Sequence, residues 1–138
     1  MKIDNFDISK KVFIVAEIGN NHEGSLNLAK ELIELAYQCG ANAVKFQTIE
    51  PNLLVRSNET DRIKMLKKFY FSPEEYKELK NYCDKVGIIF LSTPFSIECI
   101  KWLNDLVPAF KISSGDLTYH SLIKEGLILP TWEHPTIN

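Results

Sequence analysis

Apolar and polar positions come in blocks along the chain, and their period changes from block to block. VFIVAE (12–17) is an unbroken β-branched and aromatic run, which predicts a strand. Leu28, Ala29, Leu32, Ile33 and Ala36 then share one face of a helix that Ser25 can cap and Gly40 can end. NAVKFQ (42–47) predicts a second strand. A long polar segment follows, in which Met65, Leu66 and Phe69 mark a short helix. SPEE (72–75) opens another helix, with Ser72 as cap, Pro73 at the first position and Glu75 closing a capping box. Tyr76, Leu79, Cys83 and Val86 recur at helical spacing until Gly87. IIFLS (88–92) predicts a third strand. Ser96 caps a helix to about Leu106, with Ile97, Ile100 and Leu103 inward, and AFKIS (109–113) predicts a fourth strand.

Strand and helix repeated in this order predict a parallel sheet with right-handed crossovers. A barrel and an open doubly wound sheet both fit, but no G-x-G-x-x-G follows the first strand, which weakens the dinucleotide-binding version. With 138 residues, 45% hydrophobic, the chain is long enough for one domain with a core. A formal net charge of −2 gives no field that favours nucleic acid or an anionic membrane. No apolar run approaches membrane-spanning length, and MKIDNFDISKK lacks the apolar core of a signal peptide. Cys39, Cys83 and Cys99 each fall in a predicted helix without metal-ligand spacing; they read as buried free thiols of a cytoplasmic protein.

Sites in either architecture form beyond the carboxyl ends of the strands. The first strand ends there in Glu17, and the third in Ser92-Thr93-Pro94. The second and fourth share a pattern of apolar, Lys, apolar, polar. Alternation puts Lys45 and Gln47 on one face, and Lys111 and Ser113 on one face. An ammonium within a helix-covered parallel strand is costly unless an anion pairs with it. Two lysines at matched positions favour a bound anion of more than one charge, with donors from Thr93, Ser114 and the amides around Gly115. The plainer alternative is that each lysine pairs with a carboxylate such as Glu17 or snorkels outward. His22 reads as a brace for its loop more than a substrate contact. His120 and His134 read as solvent or loop residues. Arg56, Arg62, Lys64, Lys67 and Lys68, set among Glu59 and Asp61, read as a solvated face.

AEIGNNHEGSL, GANAVKFQT, FLSTPFS and FKISSGD occur in this order. Together they make the chain resemble the sialic acid synthases, over roughly Lys11 to Lys124. The opening MKIDNFDISKKVFIVAE is similar to pseudaminic acid synthases, and the third and fourth motifs to the N-acetylneuraminate and legionaminic acid branch. The resemblance implies a (β/α)8 barrel, phosphoenolpyruvate and an N-acyl amino sugar as substrates, a divalent metal (manganese or magnesium), and a homo-oligomer. By motif position it implies that Lys45 and Lys111 hold the phosphate and carboxylate, with Thr93 and Ser114 as donors. Glu17 would face the sugar and the reacting centre, Gln47 would bind substrate, and Asn21 would contact it or brace the loop. Asp116 stands where many members carry Glu and is the acid/base candidate.

A full barrel takes roughly 250 residues, and four strands are half of one. Residues 1–125 are therefore expected to form the first half of such a barrel, cut after the fourth strand. Residues 126–138, with Pro130, Trp132 and Pro135, do not match the family and do not read as a helix. The metal ligands are expected beyond this chain. Three readings stay open: half of a synthase that is inactive alone, a non-enzymatic half-barrel that binds a partner chain or a phosphate-containing ligand, or a small phosphate-binding α/β protein of another family.

Overall fold

The computed structural model describes residues 2–128. Two short strands, β1 (Lys2–Ile3) and β2 (Phe6–Asp7), form an antiparallel hairpin ahead of the main sheet. The sheet itself is parallel, in the order β3 (Val15–Gly19), β4 (Ala43–Thr48), β5 (Ile89–Pro94). Helix α1 (Leu26–Gln38) joins β3 to β4. The longer connection to β5 carries α2 (Pro51–Leu54), α3 (Thr60–Lys67) and α4 (Pro73–Val86). After β5 come α5 (Ile97–Leu103), a 3-10 turn (Ser114–Asp116) and α6 (His120–Ile128).

The helix starts lie where the cap residues place them. The hydroxyls of Ser25, Ser72 and Ser96 accept from the amides of Leu28, Glu75 and Cys99, and Ser72 with Glu75 completes the capping box. Helix α5 stops at Leu103, short of the expected Leu106. Cys83 and Cys99 are buried, and burial pushes the Cys83 thiol up to about 12. Cys39 corrects the expectation of three buried thiols: it is the exposed C-cap of α1, one residue past the last helical turn.

The first strand begins later than expected and runs past Glu17. The Ile14 amide donates to the Asn42 side chain, and the Ile14 carbonyl accepts from the Asn42 and Ala43 amides. Ladder pairing starts only at Val15 opposite Ala43. The expected fourth strand is reduced to a single parallel bridge between Ser92 and Phe110, with the Lys111 amide donating to the Ser92 carbonyl. Among the described residues no strand lies on the far side of 109–113. The tail expected to begin at 126 overlaps α6, which runs through Ile128; Pro130, Trp132, His134 and Pro135 lie outside the described residues.

Parallel pairing sends partners in register to the same side of the sheet. Val44, Phe46, Phe90 and Phe110 face the helices and join Ile33, Tyr76, Leu79 and Leu103 in the main core. Ala43, Leu91 and Ala109 form a second, smaller cluster with Ile3, Phe13 and Ile89, on the face opposite the helices. The polar residues of the motifs follow on that second face toward the carboxyl ends. Among the described residues no helix is long and apolar enough to cross a membrane.

Candidate active site

Two polar rows cross this face. Glu17 on β3 lies in register with Lys45 on β4, and the two form an ion pair. The Lys45 side chain is 12% exposed and the Glu17 side chain 51%, so the pair is open to solvent on the acid's side. One step further along, Gln47 lies in register with Thr93 on β5. Thr93 is buried, and its hydroxyl oxygen has no hydrogen-bond partner among the described residues. The Asn20 amide donates to Gln47 Oε1 at 3.0 Å, while Asn20 Oδ1 is buried without a partner among the described residues. Behind the row, the buried Tyr76 hydroxyl of α4 donates to the Gln47 carbonyl at 2.8 Å.

The residues singled out by sequence divide accordingly. Glu17, Lys45, Gln47 and Thr93 are brought onto one face at the carboxyl ends of three strands. Lys45 pairs with Glu17, as the plainer alternative has it. Lys111 is exposed, one residue beyond the bridged Phe110; alternation from Ala109 in the second cluster puts it on the same face. Ser114 is exposed in the 3-10 turn. Asp116 is half-buried there, with Oδ2 unpartnered among the described residues. Asn21 is exposed, and its amide donates to the Ile18 carbonyl at 2.9 Å, tying its own turn. His22 is fully buried, its imidazole stacked on Phe71 at 4.2 Å, and burial pushes its pKa down to about 4.

Asn20 and Tyr76 were not foreseen as parts of the site. Asn20 stands beside Asn21 in a polar turn, so sequence offers no reason to prefer it. Tyr76 reads as one apolar member of a helical stripe; only the fold shows its hydroxyl on a strand carbonyl. A cleft of about 630 Å³ opens at the other end of the sheet, where Asp4, Lys80, Asp84 and Asp105 line it, away from these rows.

A cation beside an acid, an amide pair and an unpartnered hydroxyl at strand carboxyl ends form a polar floor fit to hold a small anionic or hydroxylated molecule. The profile of the NeuB family matches residues 32–128. The chain belongs to the NeuB family. It is 43% identical over 114 residues to an uncharacterised protein of Methanocaldococcus jannaschii, covering 82% of this chain and 34% of that protein. It is 38% identical over 130 residues to the N,N'-diacetyllegionaminic acid synthase of Campylobacter jejuni, covering 84% of this chain and 39% of that enzyme. Among solved structures, the N-acetylneuraminic acid (sialic acid) synthetase of Leptospira borgpetersenii superposes with a TM-score of 0.78 at 34% identity, over 83% of this chain and 40% of that one. This NeuB-family chain thus spans well under half the length of these relatives.

Proposed function

We propose that this NeuB-family chain forms the first part of the (β/α)8 barrel of a sialic-acid-type synthase, residues 1–125 supplying its first half. Its substrates are phosphoenolpyruvate and an N-acyl amino sugar, its setting the cytoplasm, and its working form a homo-oligomer. The observation that carries the reading is the pair of polar rows on one face, Glu17–Lys45 and Gln47–Thr93, at the carboxyl ends of parallel strands.

In this reading Lys45 leaves Glu17 to pair with the phosphoenolpyruvate anion, joined by Lys111. The unpartnered Thr93 hydroxyl and Ser114 donate to the same anion. Glu17 and Gln47 face the sugar, and Asp116 serves as acid or base for water. C3 of phosphoenolpyruvate bonds to the sugar's aldehyde carbon, water adds at C2, and the C–O bond to phosphate breaks. The chain's own part is positional and electrostatic: it holds and neutralises the anion next to the aldehyde. The manganese or magnesium of the relationship is not accommodated by these residues. Among the described residues no three His, Cys, Asp or Glu side chains gather to bind a metal.

Calorimetric titration with phosphoenolpyruvate tests this. The chain is joined in frame to the C-terminal portion of the Campylobacter jejuni synthase. Lys45→Met and Lys111→Met should each weaken binding at least about tenfold, roughly 1.4 kcal/mol. Unchanged affinity in both variants would refute the site. A second reading, a half-barrel that docks a partner chain without catalysis, draws on the exposed apolar run at Val12, Ile14 and Val15. It predicts wild-type partner docking in a chimera that fails to bind phosphoenolpyruvate.

A further inference from the structure

We propose that His22 is a positioning residue: its neutral imidazole locks the turn between β3 and α1 and thereby fixes Asn20 on Gln47. The turn is built from short local bonds. The Asn21 amide donates to the Ile18 carbonyl at 3.0 Å, the Glu23 amide to Asn20 at 3.0 Å, and the Ser25 amide to His22 at 2.8 Å. The Gly24 amide donates to His22 Nδ1 at 3.1 Å. That acceptor role puts the ring proton on Nε2. The ring also touches two other segments. It stacks on Phe71, just ahead of α4, at 4.2 Å and 22°, and lies 5.9 Å from Phe46 of β4. One side chain thus joins the turn to the strand that carries Gln47 and to the segment that leads into α4. Asn20, two residues before it, makes the bond to Gln47 Oε1.

Packing alone does not call for histidine here. Nε2 is buried without a partner among the described residues. A phenyl ring would fill the same slot with no orphaned donor. What a phenyl lacks is the acceptor for Gly24. The inference deepens the proposed site, since it rests on that reading for what the Asn20–Gln47 pair faces. The brace itself needs no ligand.

The test is nuclear magnetic resonance of the isotope-labelled chain without ligand, so a failed phosphoenolpyruvate titration would leave its result standing. His22→Phe should keep the fold, speed exchange of the Gly24 amide by at least about tenfold, and move the Asn20 carboxamide protons toward free-amide positions. His22→Asn, whose Oδ1 stands near the place of Nδ1, should restore both. Unchanged Gly24 exchange and Asn20 resonances in His22→Phe would overturn the proposal. The wild-type imidazole nitrogens give a reading that no variant can spoil by unfolding. A ring protonated at Nε2 supports the brace, and one protonated at Nδ1 or averaging between tautomers overturns it.

Discussion

Burial of a single imidazole has a consequence that any denaturation experiment can read. An unfolded His22 takes up a proton below about pH 6.5, but the folded ring resists until about 4 because burial disfavours its charge. The unfolded state therefore binds more protons in that window. Stability is full above pH 6.5 and is lost as pH falls toward 4, by roughly 3 kcal/mol. Urea midpoints at pH 7 and pH 4 should show the fall, and His22→Phe should flatten it. Gly24 is the other decisive position in the turn. A Cβ there would stand 2.0 Å from the Lys68 carbonyl oxygen, backbone against backbone, at φ +79°. Gly24→Ala should cost at least about 2 kcal/mol in chemical denaturation, and a neutral result would mean that the turn and the end of α3 are not packed as described. The polar character of NNHEG was plain in the sequence. That His22 turns inward while Asn21 turns outward was not, because it depends on Phe71, which lies 49 residues away along the chain.

At the scale of elements, local signals and long-range pairing parted company. Ser25, Ser72 and Ser96 placed their helices because a cap acts on amides two or three residues away. The apolar run predicts a strand that ends at Glu17, yet β3 continues to Gly19, with a register irregularity after Glu17. Strand limits follow the partner's ladder, and no single stretch of sequence contains that. AFKIS has the composition of a strand but forms one bridge, to Ser92 of β5, because composition does not fix how far a ladder with the neighbouring strand extends. The matched lysines were legible as a pattern, and register supplied what the pattern lacked: Lys45 meets Glu17, and Gln47 meets Thr93. Helix α4 reaches into this ladder through Tyr76, whose hydroxyl holds the Gln47 carbonyl. Tyr76→Phe removes that part-buried bond and should destabilise the chain by about 1 kcal/mol. It should also shift the Gln47 amide resonance. If stability and resonance both stay put, α4 only packs against the sheet and does not position it.

Across the molecule, the described residues present a parallel sheet with helices on one face and an open edge at β3. Parallel sheets are ordinarily covered on both faces, so this sheet has surface still to bury. The need is concentrated at one place: Val12 is 83% exposed, Ile14 54% and Val15 37%, all on or leading into the outer strand of the order β3-β4-β5. An edge strand with apolar side chains and unpaired backbone groups is a template for another chain. In the (β/α)8 reading that place is taken by a further strand of the barrel. For the 138-residue chain purified by itself, the expected substitute is a second copy. Its mass by sedimentation should rise with concentration toward that of a dimer or larger species. Ile14→Lys puts a charge on the edge without touching Glu17, Lys45, Gln47 or Thr93, and it should hold the chain as a monomer with its melting transition preserved. A wild-type chain that stays monomeric at every concentration would show that the edge needs no partner. The half-barrel account of this surface would then fail, while the Glu17–Lys45 and Gln47–Thr93 rows, which rest on register within one chain, would remain.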